Sequence, residues 1–183
     1  MPEDSRLRLR LRVMLKLMVF GALLLFLLVI LRALFSPPGG DVRLPVEVDL
    51  RAIEPGEHQR LMWNGRRVLI LHRDTAMLDA MPDAGELYDP TSRFDRRPRG
   101  MTAPHRGWVP QWLVVYAEST DLGCDLDIVP PRESDVWVGG LRDRCRGGRY
   151  DFAGRVYKGQ PAMRNLEIPS YRLEGNRLIL GVD

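Results

Sequence analysis

A long, uninterrupted apolar run stands near the start of the chain. Leu17 to Leu31 reads LMVFGALLLFLLVIL, and Ala33 to Phe35 extend it beyond Arg32, whose long side chain can reach a membrane interface. The 19 residues of this run would rise about 28 Å as a helix, enough to cross the hydrocarbon core of a bilayer. The pattern predicts a basic segment at residues 1–16 followed by a transmembrane anchor at residues 17–35.

A cleaved signal peptide is the alternative interpretation, since such peptides also begin with a basic region and an apolar stretch. No clear A-x-A site follows, and the run exceeds a typical signal core, so an anchor is favoured. The cations lie almost wholly before the run, which by the positive-inside rule predicts a cytoplasmic N-terminus and an exported, periplasmic domain. Residues 36–40, SPPGG, would end the helix within a hinge at residues 36–43.

Beyond the hinge, the apolar positions recur in short segments typical of strands. Leu44–Leu50 alternates apolar and polar residues, and the segments 59–63 and 67–71 flank Asn64-Gly65, a dipeptide suited to a tight hairpin turn. Residues 112–117, WLVVYA, predict a buried strand, and residues 171–180 predict a final hairpin. These segments indicate a mainly β domain over residues 44–183.

One part of this domain departs from the strand pattern. Asp74 or Thr75 could cap a short helix that runs through Met81. Residues 82–110 are rich in Pro, Asp, Arg and Gly, which predicts an irregular excursion over the surface.

Composition and charge narrow the function classes. The 14 prolines and 17 glycines favour short strands and turns. Six of the 27 cations but only two of the 24 anions precede residue 33. Residues 33–183 therefore carry 21 cations and 22 anions, a net charge of −1. A nearly neutral domain gives no case for a nucleic-acid partner. No nucleophile elbow, phosphate-binding glycine loop or zinc motif is present, so no catalytic residue is predicted and the chain is expected to have no activity of its own.

Two boxes in the second half carry a family resemblance. Residues 119–124 read STDLGC, residues 143–151 read DRCRGGRYD, and residues 165–171 read NLEIPSY. These resemble the Rieske iron-sulfur subunit of ubiquinol-cytochrome c reductase, whose boxes read C-T-H-L-G-C and C-P-C-H-G-S, followed by Tyr-Asp, Gly-Arg, a proline loop and N-L-x-x-P-x-Y. The resemblance implies an all-β, Rieske-like antiparallel sandwich with a small vestigial cluster-binding subdomain near residues 117–163, preceded by one transmembrane helix.

The departures from the family boxes bear on function. In the family, the first Cys and the His of each box bind the 2Fe-2S cluster, two thiolates on one iron and two imidazoles on the other. The four positions here hold Ser119, Asp121, Asp143 and Arg146. No thiolate or imidazole remains among them, so neither a cofactor nor a metal ligand is predicted.

The second Cys of each family box forms a disulfide, which the resemblance carries to Cys124 and Cys145, the two cysteines of the chain. A structural disulfide is the first interpretation, and a reversible redox switch is the alternative. The three histidines, His58, His72 and His105, lie outside both boxes and are not expected to replace the missing ligands.

The resemblance also places the four altered positions around one pocket. One or both carboxylates of Asp121 and Asp143 could pair with the Arg146 guanidinium, giving a salt bridge where the cluster was. A calcium or magnesium site made by Ser119, Asp121 and Asp143 is conceivable, but Arg146 opposes it.

Together these observations predict a membrane-bound, non-redox accessory subunit of a quinol-oxidising respiratory complex, with cytochrome-containing subunits as partners. Two alternatives stay open. The chain could be an electron-transferring Rieske subunit with an atypical 2Fe-2S centre, or a free-standing assembly or regulatory factor.

Overall fold

The computed structural model describes residues 2–35, 44–95, 98, 100, 101, 104–132 and 137–182. The chain forms two compact units, Met1–Val42 and Arg43–Asp183. The predicted hinge at residues 36–43 lies outside the described residues.

The first unit contains one long helix, α1, which spans Pro2–Phe35. Within it, Arg10–Arg32 is long and apolar enough to cross a membrane, by length and composition. Residues 17–31 contain no polar side chain, so every side of this segment is apolar. A helix of this kind suits a lipid environment better than packing on one face.

The second unit is built from nine strands in its described residues, arranged as three antiparallel sheets of three strands each. The all-β antiparallel fold class predicted from the sequence is therefore confirmed. The sheet orders are β1-β9-β8, β2-β3-β4 and β5-β6-β7. The strands are β1 Val46–Asp49, β2 His58–Trp63, β3 Arg66–His72, β4 Trp112–Tyr116, β5 Leu126–Val129, β6 Gly140–Asp143, β7 Arg149–Tyr150, β8 Tyr171–Glu174 and β9 Arg177–Leu180.

Both predicted hairpins are confirmed. The β2–β3 turn places Asn64 at φ 49° and Gly65 at φ 73°, a left-handed pair typical of a two-residue hairpin turn. The β8–β9 hairpin uses Gly175 at φ 59° and pairs Glu174 with Arg177. The strands predicted at Leu44–Leu50 and at residues 112–117 appear as β1 and β4 with slightly shorter bounds.

The core centres on β3 and β4. The side chains of Val68–Leu71 and Leu113–Val115 are fully buried, and the register pairs Ile70 with Val114. Burial on both faces explains why these strands read as continuous apolar runs without alternation. The end of β4 leads directly into the first box at residue 119.

The predicted short helix is observed as α2, Thr75–Asp79. Asp74 caps it, because its carboxylate accepts a hydrogen bond of 2.8 Å from the Met77 amide. The helix ends two residues before the predicted Met81, since Met81 precedes Pro82 and a residue before proline disfavours the helical conformation.

Residues 82–110 correct the sequence interpretation in one respect, although residues 96, 97, 99, 102 and 103 lie outside the described part. The segment is irregular apart from a 3₁₀ turn at Ala84–Glu86, as predicted, but it does not simply cross the surface. Its Arg106 is fully buried and donates hydrogen bonds to the carbonyl oxygens of Ala153, Gly154 and Leu166. Buried backbone oxygens need donors, and a long guanidinium supplies several at once.

Arg73, just after β3, serves the same purpose. Its guanidinium donates to the carbonyl oxygens of His105, Trp112 and Phe152 at 2.9 to 3.0 Å. Burial lowers the pKa of Arg73 to about 10, so the side chain stays protonated at neutral pH. The two arginines tie the irregular segment to the loop that follows the second box.

The start of β6 requires glycine for a steric reason that can be tested. A Cβ at Gly140 would overlap the carbonyl oxygen of Tyr150, whereas a Cβ at Gly175 would meet no atom within 4 Å. Both residues have positive φ. We expect Gly140→Ala to lower the free energy of unfolding by about 3 kcal/mol and Gly175→Ala by about 1 kcal/mol. Urea denaturation of the full chain in detergent, monitored by tryptophan fluorescence, measures the free energy of unfolding of both variants. Equal losses of this free energy would contradict the steric explanation.

Candidate functional site

Two loops of matching backbone structure form the candidate site. The first, residues 119–124, follows β4, and the second, residues 143–148, joins β6 to β7. Ser119 N donates to Cys124 O and Gly123 N donates to Ser119 O, at 2.8 and 3.0 Å. In the second loop, Asp143 N donates to Gly148 O and Gly147 N to Asp143 O, again at 2.8 and 3.0 Å. Ser119 and Asp143 therefore occupy equivalent positions in the two loops.

A disulfide joins the loops at one side. Cys124 and Cys145 are bonded, with Cα atoms 6.1 Å apart and a sequence separation of 21. The predicted pairing is confirmed. Neither cysteine is a free thiol in this structure.

A buried hydrogen bond joins the loops at their centre. Ser119 Oγ donates to Asp143 Oδ2 at 2.9 Å, and the two residues are only 4% and 2% exposed. The second carboxylate oxygen, Asp143 Oδ1, accepts from the Cys145 amide at 2.7 Å. The Asp121 amide in turn donates to Ser119 Oγ at 3.2 Å. The buried carboxylate thus has donors on both oxygens, which is the condition for burying such a group without a large penalty.

A salt bridge joins the loops at their outer edge. Arg146 Nη1 lies 2.9 Å from Asp121 Oδ2, with the Arg146 side chain about half exposed and Asp121 mostly buried. The structure thus selects between the two carboxylates considered from sequence: Asp121 pairs with the guanidinium, and Asp143 bonds Ser119 and the Cys145 amide.

Thr120, which bonds the Tyr150 hydroxyl, connects the first loop to a third loop at residues 159–164. The Tyr150 hydroxyl lies 3.2 Å from the Thr120 amide and 3.1 Å from Thr120 Oγ1, which itself donates to Arg164 O at 2.6 Å. Because Thr120 has one hydroxyl proton and donates it to Arg164, the Tyr150 hydroxyl must be the donor to Thr120 Oγ1. Sequence reasoning gave Thr120 and Tyr150 no role, although the Tyr-Asp pair of the motif was a signal for the latter.

Comparison with known proteins places this arrangement in a family. No family model matches the chain. The ubiquinol-cytochrome c reductase iron-sulfur subunit of Allochromatium vinosum is 37% identical over 145 residues, covering 76% of this chain and 70% of that protein. The chain belongs to the Rieske iron-sulfur subunit family of ubiquinol-cytochrome c reductase.

Two further similarities were found. Subunit Rieske-1 of the mitochondrial cytochrome b-c1 complex of Nicotiana tabacum is 40% identical over 139 residues, covering 74% of this chain and 48% of that protein. The chain thus spans about half the length of this plant relative. A chain of a hyperthermophilic respiratory complex III is similar over 90% of this chain and 97% of its own, at 20% identity and a TM-score of 0.46.

The residues that the motif resemblance puts at the ligand positions do not match the chemistry of a Rieske cluster. Such a centre takes two thiolates and two imidazoles. Ser119, Asp121, Asp143 and Arg146 offer a hydroxyl, two carboxylates and a guanidinium, and the guanidinium has no lone pair to donate to a metal. The sulfur atoms of Cys124 and Cys145 and a carboxylate oxygen of Asp143 lie within 4.8 Å of one another, but both sulfurs belong to the disulfide.

The histidines are placed in other parts of the Rieske fold. His72 lies in β3, where its Nδ1 is 2.7 Å from Ile53 O and its ring stacks on Trp112 at 4.1 Å. His58 lies in β2, and His105 lies in the irregular segment held by Arg73. None of the three belongs to either loop of the candidate site.

Removal of the disulfide should destabilise the loops. The bond closes a loop between cysteines with a sequence separation of 21, for which chain entropy gives about 3 kcal/mol. We expect the Cys124→Ser, Cys145→Ser double variant to lose about this free energy of unfolding in urea, and unmodified protein to lose the same amount under a dithiol reductant. The double variant itself should not respond to reductant. Equal stability of the oxidised and reduced proteins would show that the disulfide adds nothing.

Proposed function

We propose that this protein is a membrane-anchored Rieske family subunit that transfers no electrons and serves as an accessory, structural subunit of a quinol-oxidising respiratory complex. One observation carries the proposal. The four cluster-ligand positions hold side chains without a thiolate or imidazole, and the two cysteines of the chain are bonded to each other. We therefore propose that it holds no 2Fe-2S cluster.

Family membership supports the partner. The relatives are named as subunits of ubiquinol-cytochrome c reductase and of the cytochrome b-c1 complex. A chain that keeps the fold while losing the ligands can keep the surfaces by which such subunits assemble. We propose cytochrome-containing subunits of such a complex as its partners.

The N-terminal helix supports the membrane location. The segment Arg10–Arg32 is long and apolar enough to span a bilayer. Basic residues precede it, which favours a cytoplasmic N-terminus and a domain on the periplasmic side. The Cys124–Cys145 disulfide agrees with this orientation, because disulfides persist in oxidising, exported compartments.

Iron analysis of protein purified from its native membrane tests the redox part of the proposal. We expect no stoichiometric iron, no acid-labile sulfide and no electron paramagnetic resonance signal from the dithionite-reduced protein. A ligand-intact Rieske subunit, prepared in the same way, is the control. About two irons per chain with a Rieske-type signal would contradict the proposal and establish the electron-transferring alternative.

Co-purification tests the accessory role separately. We expect haem-containing subunits to accompany the full chain through mild detergent solubilisation and gel filtration. Recovery of an iron-free, folded protein without haem would contradict the accessory role and favour a free-standing assembly or regulatory factor. The tryptophan fluorescence of the same fractions shows whether the protein is folded.

A further inference from the structure

We infer that two directly bonded side-chain pairs, Ser119–Asp143 and Asp121–Arg146, replace the two irons of the family's cluster as the crosslink between the loops. The inference deepens the proposed function and rests on its statement that the chain holds no cluster. It explains how the two loops can keep their conformation without iron.

The correspondence is pairwise. In the family, one iron takes the thiolate of each box and the other iron takes the imidazole of each box. Ser119 and Asp143 occupy the two thiolate positions and are bonded to each other. Asp121 and Arg146 occupy the two imidazole positions and are bonded to each other. Each pair takes one residue from each loop, so each bridges the loops as one iron would.

The chemistry of each pair also suits a hydrogen bond rather than a metal. Ser119 Oγ and Asp143 Oδ2 are 2.9 Å apart, and so are Arg146 Nη1 and Asp121 Oδ2. Both are hydrogen-bond distances. Within each pair a hydrogen-bond donor faces an acceptor, whereas each ligand of a cluster must offer a lone pair to the metal, which a guanidinium lacks.

The two pairs differ in burial, and so in the strength of the crosslink expected from each. The Ser119–Asp143 bond is shielded from water and charge-assisted, and the Asp143 carboxylate also accepts from the Cys145 amide. The Arg146 guanidinium is about half exposed, so solvent and salt weaken its attraction to Asp121. The buried pair should therefore hold the loops, and the outer pair should add little.

Because the two loops have the same backbone hydrogen bonds, amide exchange in one loop can report the loss of a side chain from the other. The Gly123 amide bonds Ser119 O in the first loop, and the Gly147 amide bonds Asp143 O in the second. If the side-chain pair is a crosslink, loss of Ser119 Oγ must loosen the second loop. Loss of the Asp143 carboxylate must likewise loosen the first. A side chain with only a local role would not move the opposite loop.

Hydrogen–deuterium exchange of the full chain in detergent, with the disulfide intact, tests this. We expect Ser119→Ala to speed exchange across residues 143–148, and Asp143→Ala to speed exchange across residues 119–124, each roughly tenfold or more. Across residues 143–148, the Ser119→Ala, Asp143→Ala double variant should exchange no faster than Asp143→Ala alone, because Ser119 Oγ bonds that loop through Asp143. Arg146→Ala should change exchange by less than about fivefold.

Glu47→Ala is the matched control, since Glu47 lies on β1 of a different sheet and makes an exposed ion pair with Arg177. It should leave both loops unchanged. If Asp143→Ala does not fold, the isosteric Asp143→Asn replaces it in the test. We then expect a smaller increase in the exchange rate across residues 119–124. If a folded Asp143 variant leaves exchange in residues 119–124 unchanged, the inference is overturned. The proposed function would still stand in that case if the wild-type protein contained no iron.

Restoration of the family ligands tests the pairwise correspondence. The variant Ser119→Cys, Asp121→His, Asp143→Cys, Arg146→His should bind two irons per chain on anaerobic reconstitution with iron and sulfide, with a Rieske-type signal. The variant that restores only the two cysteines should not show this signal. A folded fourfold variant with its disulfide intact but without iron would show that the four positions do not share one cluster-sized site, and would overturn the correspondence.

Discussion

The buried hydrogen bond from Ser119 Oγ to the Asp143 carboxylate is the constraint around which the site is organised. It lies between two loops that have the same backbone hydrogen bonds, and it is shielded from water on both sides. A carboxylate in that position requires donors, and Ser119 and the Cys145 amide provide them. The disulfide, the outer salt bridge and Tyr150 are arranged around this contact.

A second set of buried polar groups bonds the backbone of the segment that follows the second loop. Asp151 accepts from the amides of Ala153 and Arg155 and forms a buried ion pair with the Arg155 side chain. Asn165 accepts from the Val156 amide and donates to Asp89 O. These residues belong to the Tyr-Asp, Gly-Arg and Asn-Leu elements of the family motif, so the motif preserves backbone support around the loops.

Much of the fold could be predicted from local sequence. Asn64-Gly65 set a hairpin because few other dipeptides accept two successive positive φ angles, and Asp74 capped α2 through its own side chain. The burial of Arg73 and Arg106 could not be predicted in this way. Both lie next to polar or glycine-rich sequence. Their partners include carbonyl oxygens 32 to 79 residues away, and Arg106 also forms a buried ion pair with Asp95. A preference for solvent is the usual expectation for arginine, and the unsatisfied carbonyl groups of a distant loop reverse it.

By itself the sequence determined the chemistry available to this protein: an apolar segment long enough for a membrane, two cysteines, and two motif boxes that hold Ser119, Asp121, Asp143 and Arg146. These follow from residue identity and order alone. Only the tertiary structure decided which groups meet. Asp121 forms a salt bridge with Arg146, while Asp143 accepts a hydrogen bond from Ser119. The two carboxylates are alike in chemistry and both lie near the guanidinium in the motif. Their different partners depend on side-chain direction and burial, which arise when the two loops are brought together by β5, β6 and the disulfide.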